Sequence, residues 1–435
     1  MALNPNGRRA KAQDAKRQAT EARLGALELP DGPAWAASAR ATARDRLAGT
    51  GLPMRRDEYW RWTDPASLTA AEPSKAALFP DDGDPVFGEI ERARIVFVDG
   101  VLQPEESDAL DLAGVEITRL ADAADIHWAH DLYGALEAKG QVPVERPLAA
   151  LNTAAARDGL LIRVTGEAER PVNLVYRHEN EGSDAILHHV VKLEEGADFT
   201  LLENGPAAAR FNQVIEVDVA KGASFHHVRT QGRDHERRAV THMFARVAEG
   251  GAFKSFTLTV NGVLTRNEMV VEIAGDDAVA HVAGAALGDG KSFLHDDTVF
   301  ITHDAERCES RQVFKKVLRN GATGVFQGKI LVKEGAQKTD GYQISQGLLL
   351  DDDSVFLAKP ELEIYADDVQ CSHGSTSGAL DETALYYLRS RGLPKADAQD
   401  LLTLAFVAEA LDEIDDERIR DDLRERLAGW LQRRR

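Results

Sequence analysis

The residues best placed to do chemistry are Cys371 and His373, separated by Ser372. On an extended strand side chains alternate, so positions two apart share a face, roughly 6.5 to 7 Å apart at the backbone. A thiolate and an imidazole so placed could both address one iron or sulfur species, because soft sulfur and imidazole donors suit iron. A buried free cysteine beside a satisfied histidine has the same signature, so the spacing alone leaves both readings open. Thirteen histidines include the adjacent pairs His188-His189 and His226-His227. Strand neighbours point to opposite faces, so neither pair chelates one metal, and packing or surface roles are expected. The phosphate-binding GxxxxGK[ST] loop, the dinucleotide GxGxxG, Cys-x-x-Cys and His-Glu-x-x-His are all missing from the sequence. There is therefore no motif for nucleotide binding or for the common zinc sites.

Those two residues belong to a long strand-forming region. From Leu160 to about Val369 the chain consists of short alternating or β-branched runs, such as Leu187 to Leu193, Val214 to Val219 and Met269 to Ile273. Gly, Asp and Asn break these runs, and helical periodicity is nearly absent. A turn motif recurs after the strands: Glu195-Gly196-Ala197, Lys221-Gly222-Ala223, Gly250-Gly251-Ala252, Asp276-Asp277-Ala278 and Asp304-Ala305. Its central positions 196, 222, 251, 277 and 304 are 26, 29, 26 and 27 residues apart. A fixed period of this size in a strand-only region predicts one coil of a parallel β-helix per repeat. Small residues recur because each corner demands a sharp bend, where Gly tolerates positive φ and Asp bonds the local backbone. A β-sandwich would also show short strands, but has no reason to repeat a turn at this spacing.

Helices are expected on both sides. Arg8 to Leu27 and an Ala-rich stretch ending near Gly49 read as helices, with Pro30, Gly32 and Pro33 between them. The aromatic cluster Glu58-Tyr59-Trp60-Arg61-Trp62-Thr63 follows, then a loop rich in Pro and Asp from Pro73 to Pro85. Ala93 to Val98 ends at Asp99-Gly100, a hairpin signal. Short helical patterns span Trp128 to Lys139 and Pro147 to Ala156. Beyond Gly378, Asp381 caps a helix through Arg391, and a second runs from Pro394 to about Ile414. A third spans Asp415 to Trp430, with Ile419, Leu423, Leu427 and Leu431 at spacings of four. The expected domains are a helical and mixed region over 1–155, a β-helix over 156–378 and a helical segment over 379–435.

The 435 residues carry a net charge of −20, which repels phosphate backbones and argues against nucleic acid as a partner. Residues 1–62 run the other way, with 12 Lys and Arg against 7 Asp and Glu, and are read as a solvated helical surface. No apolar run has the length of a signal peptide or membrane span, so a cytoplasmic location and no membrane contact are expected. In that reducing compartment Cys308 and Cys371 are read as free thiols.

The stretch Ser310 to Gly392 closely resembles the SufD branch of the SufB/SufD family of iron-sulfur cluster assembly proteins. The resemblance is carried by Ser310-Arg311-Gln312 with Phe314-Lys315, Gly324-Val325-Phe326-Gln327-Gly328, Ala336-Gln337-Lys338-Thr339-Asp340 and Leu348-Leu349-Leu350. Lys359-Pro360-Glu361-Leu362-Glu363-Ile364, Ala366-Asp367-Asp368-Val369, Cys371-Ser372-His373-Gly374 and Tyr387-Leu388-Arg389-Ser390-Arg391-Gly392 continue it. Weaker matches include Gly51-Leu52-Pro53, Trp60-Arg61-Trp62-Thr63 and Ala150-Leu151-Asn152-Thr153. Ser375 and Ser377 depart from the family, which favours alanine and a hydrophobic residue there.

The resemblance implies a mainly β protein, a right-handed parallel β-helix flanked by N-terminal and C-terminal α-helical segments, that catalyses nothing itself. It implies pairing edge to edge with SufB and docking of the SufC ATPase on the C-terminal helices. It also implies that His373 lies at the SufB interface, where a transient iron-sulfur cluster forms that the isolated chain does not hold stably. Cys371 joins His373 as a candidate interface residue, and His373 is the candidate metal ligand. Leu401, Leu404, Phe406 and Ala408 are the expected SufC-docking positions, and a homodimer through the same edge is the expectation for the isolated chain. SufB itself is the nearest alternative, but its C-terminal helical region carries a cysteine, and none follows Cys371 here. A β-helix enzyme acting on acidic polysaccharide is the rival from another class. Such an enzyme needs a basic groove for uronates, which the acidic body of this chain does not suggest.

Overall fold

The computed structural model describes residues 5–30, 34–79, 85–123, 127–232 and 234–433. Two ten-stranded sheets face each other, and from Leu160 onward consecutive strands alternate between them. Neighbours within each sheet pair in parallel, for example Ser224–Gln231 with Ala252–Val260, and Arg238–Val247 with Leu264–Ile273. The result is the expected parallel solenoid, of about seven turns, flanked by helices. The first sheet starts upstream of residue 156, because Ala93–Val98 pairs in parallel with Val172–Arg177. That strand turns back through the hairpin seen in the sequence, with Asp99 at φ 49° and Gly100 at φ 83°. A Cβ on Gly100 would lie 2.6 Å from that of Ala185, so both backbone and space require glycine there.

The corners explain the repeat and correct part of it. Left-handed residues sit at Gly196, Gly222, Gly250, Asp277, Arg307 and Lys338, spaced by 26, 28, 27, 30 and 31. Each donates its N–H to the corner of the next coil, as Gly222 does to Glu249 at 2.9 Å and Arg307 to Gln337 at 2.9 Å. The expected corner positions 251 and 304 are therefore displaced to 250 and 307. Asp304 instead reaches the surface ion pair with Lys333 at 2.6 Å. The signal faded because the later coils lengthen and place Arg and Lys, not Gly, in the left-handed bend, which single non-glycine residues tolerate at a cost.

Inward positions stack along the axis. Phe199, Phe225 and Phe253 form an aromatic column with ring centres 6.3 and 5.6 Å apart. The outer faces are covered as well, which is why whole strands are apolar rather than alternating. Leu148, Ala150, Leu151 and Trp60 lie on Val240 and Leu264 of the second sheet. There Arg266 sits 4.1 Å from the Trp60 ring and pairs with Glu268 at 2.7 Å and with Asp296. Val407, Ala410, Leu411, Ile419, Leu423 and Leu427 of the C-terminal helices lie on Leu202, Val228, Phe256 and Ala283 of the first sheet.

The predicted helices correspond to Pro5–Gly25, Ala34–Thr50, Pro147–Ala155, Glu382–Ser390, Lys395–Leu411 and Glu417–Arg433, while the pattern Trp128 to Lys139 is split by the left-handed Gly134 into His127–His130 and Ala135–Lys139. Asp381 caps Glu382–Ser390, accepting from the Thr383 and Ala384 amides. Part of the predicted Pro73 to Pro85 loop, residues 80–84, lies outside the described residues, as do the first four residues of the basic arm. Among the described residues no helix is long and apolar enough to cross a membrane.

Candidate functional site: the open terminal coil

The solenoid ends in strands Val355–Ile364 and Gln370–Gly378, one at the edge of each sheet. Each pairs on one side only, with Thr323–Val332 and Asp340–Leu349 respectively. Residues of this coil are mostly exposed or half-exposed while the same positions one coil earlier are mostly buried, although the turn Glu58–Trp60 reaches it where Tyr59 donates to Glu361 and Glu58 pairs with Lys359. Cys371 and His373 lie on this last strand and share the face that is interior in every earlier coil. Register shows it: Cys371 aligns with Gly341, Ser310, Ala280 and the phenylalanine column, and His373 with Gln343, Gln312, Val282 and Ser255.

Their environments differ. Cys371 is half-buried against the cluster of Ile330, Val332, Ala336 and Ala366. Its sulfur closes over Gly341, where a Cβ would approach within 3.2 Å. Burial pushes its thiol up, so it is protonated at neutral pH. His373 is exposed on the open face. Sulfur and imidazole are the right donor types for iron, but among the described residues no group of three or more His, Cys, Asp or Glu could hold a metal. Among the described residues Cys371 and His373 would be at most part of a ligand set.

Beneath His373 lies a ladder of amides that the sequence reading missed. Gln312 Nε2 donates to the Lys329 carbonyl at 3.3 Å, and Gln343 Nε2 donates to Gln312 Oε1 at 2.8 Å. Both glutamines are fully buried. Gly328 makes room for them, since a Cβ there would lie 2.4 Å from Gln343 Nε2. Following the repeat past residue 304 would have put Gln312 and Gln343 in the column of His373.

The adjacent histidines behave as read, with opposite orientations and structural partners. His188 bonds Glu216 at 2.8 Å beneath Tyr133, while His189 accepts from the Leu160 amide at 3.1 Å and packs on Phe97. His227 bonds Glu203 at 2.8 Å inside the solenoid. Burial pushes Glu203 up, but Arg229, His227 and the Tyr176 hydroxyl outweigh it and hold the carboxyl well below its ordinary range. Cys308 is a buried thiol that donates to carbonyls of Gly275 and Glu306.

The four expected docking positions separate on Lys395–Leu411. Leu401 points outward at 48% exposure. Leu404 and Phe406 lean on the first-sheet cluster, and Ala408 is half-buried. On Glu382–Ser390, a helix that buries no residue, Tyr386 and Tyr387 are exposed by 75% and 54%. Ion pairs fix this segment to the solenoid, Lys315 with Glu409 and Lys254 with Asp415 at 2.8 Å, and His281 hydrogen-bonds Glu413 at 3.1 Å and Glu309 at 3.2 Å.

Comparison with known proteins places this architecture. A family model described as SUF system FeS cluster assembly, SufBD core domain, matches residues 176–406, which includes the terminal coil. The chain is 30% identical over 401 residues to the iron-sulfur cluster assembly protein SufD of Escherichia coli (strain K12), covering 89% of this chain and 91% of that protein. It is 26% identical to a SufBD family protein of Synechocystis, over 86% of each chain. Identity to SufD of Bacillus subtilis is 29%, over 73% of this chain and 74% of that protein.

Proposed function

We propose, because this chain belongs to the SufBD family of SUF-system iron-sulfur cluster assembly proteins, that it is a SufD-type scaffold that presents half of a cluster assembly site to SufB. The observation that carries this reading is the open terminal coil, where two unpaired strand edges flank Cys371 and an exposed His373. An unpaired edge is a template for another chain, and pairing there would bring a partner's donors beside these two. The nascent cluster is cargo at this interface and is not held by this chain alone. The isolated chain uses the same edge to form a homodimer.

The chain catalyses nothing itself, and energy enters through the SufC ATPase in the cytoplasm. SufC docks on the C-terminal helices, where Leu401, Tyr386 and Tyr387 offer exposed apolar surface, while Leu404, Phe406 and Ala408 support it from beneath. ATP-driven movement of these helices is passed to the solenoid through the ion pairs that tie them to it.

Anaerobic co-expression with SufB and SufC tests the reading. Both partners should co-purify, a variant ending at Gly378 should lose SufC, and His373→Ala should lose the absorbance of the assembled cluster. Solitary purification, or wild-type assembly by His373→Ala, would end it.

A further inference from the structure

We propose that Gln343 is a positioning residue for His373: its Oε1, unpartnered in this structure, accepts from an imidazole N–H once the exposed ring turns toward it, which leaves the other nitrogen, with its lone pair, facing the open end of the solenoid. The inference rests on the reading of His373 as a donor to the nascent cluster, but its test does not.

The direction of the amide ladder carries the argument. A backbone carbonyl can only accept, so the group of Gln312 that faces Lys329 must be its NH2. That orientation leaves Gln312 Oε1 to accept from Gln343 Nε2. Gln343 is oriented in turn, and its Oε1 is left as a buried acceptor with no partner among the described residues. A buried carbonyl without a donor is costly, and aligned amides polarise one another so that the last acceptor is the strongest. The next residue in the column is His373, in direct register with Gln343 on the neighbouring parallel strand and on the same face. A neutral imidazole has one donor and one acceptor nitrogen, and a fixed acceptor beside it selects which is which. Gly328 supports the assignment, because any side chain there would push the Gln343 amide out of the column.

The test is nitrogen NMR of the full-length chain with ring-labelled histidine, at a pH above the imidazole titration, with the His373 signals assigned by loss in His373→Ala. In the wild type one tautomer of His373 should exceed the other by about fivefold or more relative to an unstructured histidine peptide, the bias of one ordinary hydrogen bond. Gln343→Leu should abolish the bias. Gln343→Glu, which keeps an oxygen acceptor, should retain it, and Gln312→Leu, which removes the group that orients the Gln343 amide, should reduce it. A peptide-like ratio in the wild type overturns the proposal without any variant, and so does an unchanged bias in Gln343→Leu. Gln343→Ser, too short to reach, replaces the leucine variant if that does not fold. A cluster-assembly defect in His373→Ala with a tautomer ratio unmoved by Gln343→Leu would remove the ladder and leave the functional reading standing. Normal assembly in His373→Ala with the bias intact would do the reverse.

Discussion

Lys315 and Phe406 meet across the seam between the first sheet and the C-terminal helices, with the ammonium nitrogen 4.8 Å from the ring centre. Glu409 and Gln346 take up the same ammonium. This places Phe406 against the solenoid, not on the outward face that holds Leu401.

The two positions should therefore separate stability from docking. Phe406→Ala removes a ring packed on the apolar cluster of the seam, and a loss of about 2–3 kcal/mol is expected, below the fully buried range because the ring is partly exposed. Faster amide hydrogen exchange across Lys395–Leu411 should accompany it. Leu401→Ala should leave urea unfolding within about 0.5 kcal/mol of wild type while weakening SufC capture.

The two thiols should react in order. Burial raises both, but Cys371 is half-buried at an open coil and Cys308 is only 1% exposed. Because the thiolate is the reacting species, alkylation of Cys371 should speed up about tenfold per pH unit from 7 towards 9. Mass spectrometry after timed iodoacetamide labelling should find Cys371 modified well before Cys308. Equal rates at neutral pH would contradict the greater accessibility of Cys371 at the open coil.

Arg266 should be hard to replace. It is 1% exposed and stands between the carboxylates of Glu268 and Asp296, with Trp60 over its guanidinium. Burial pushes Glu268 up, but Arg266 and its neighbours bring it down to about 2. Arg266→Leu leaves the buried Asp296 without its cation and Glu268 with Arg146 alone, and a loss of about 3–5 kcal/mol in urea unfolding is expected. Replacing Asp296 by Asn in the same chain should recover part of it.

Acid should destabilise the fold between pH 6.5 and 4. Burial lowers His189, His226, His242 and His303 to about 4, so in that window the unfolded chain binds more protons at these positions. Stability rises with pH wherever the unfolded state binds more protons, so it must fall on acidification through this range. Glu137 and Asp234, raised by burial to about 7 and about 6, act in the opposite sense, but they are two groups against four. Urea midpoints measured from pH 7 to 4 should decrease steadily, and His242→Phe should flatten the curve.

Much of this protein follows from local sequence. Alternation, turn residues and the Asp381 cap are decided within a few residues, so strands, hairpin and helices were legible, as was the shared face of Cys371 and His373. Long-range register is another matter. Gln312, Gln343 and His373 are 31 and 30 residues apart, and only stacking of coils with unequal lengths makes them neighbours. Which side of Lys395–Leu411 meets the solenoid was equally out of reach, because Leu401, Leu404 and Phe406 are all apolar and the choice depends on the first sheet having an apolar outer face to receive them. Periodicity fixed the elements because each strand buries its own face. The partner across that face, and the openness of the last coil, came from packing between segments far apart in the chain.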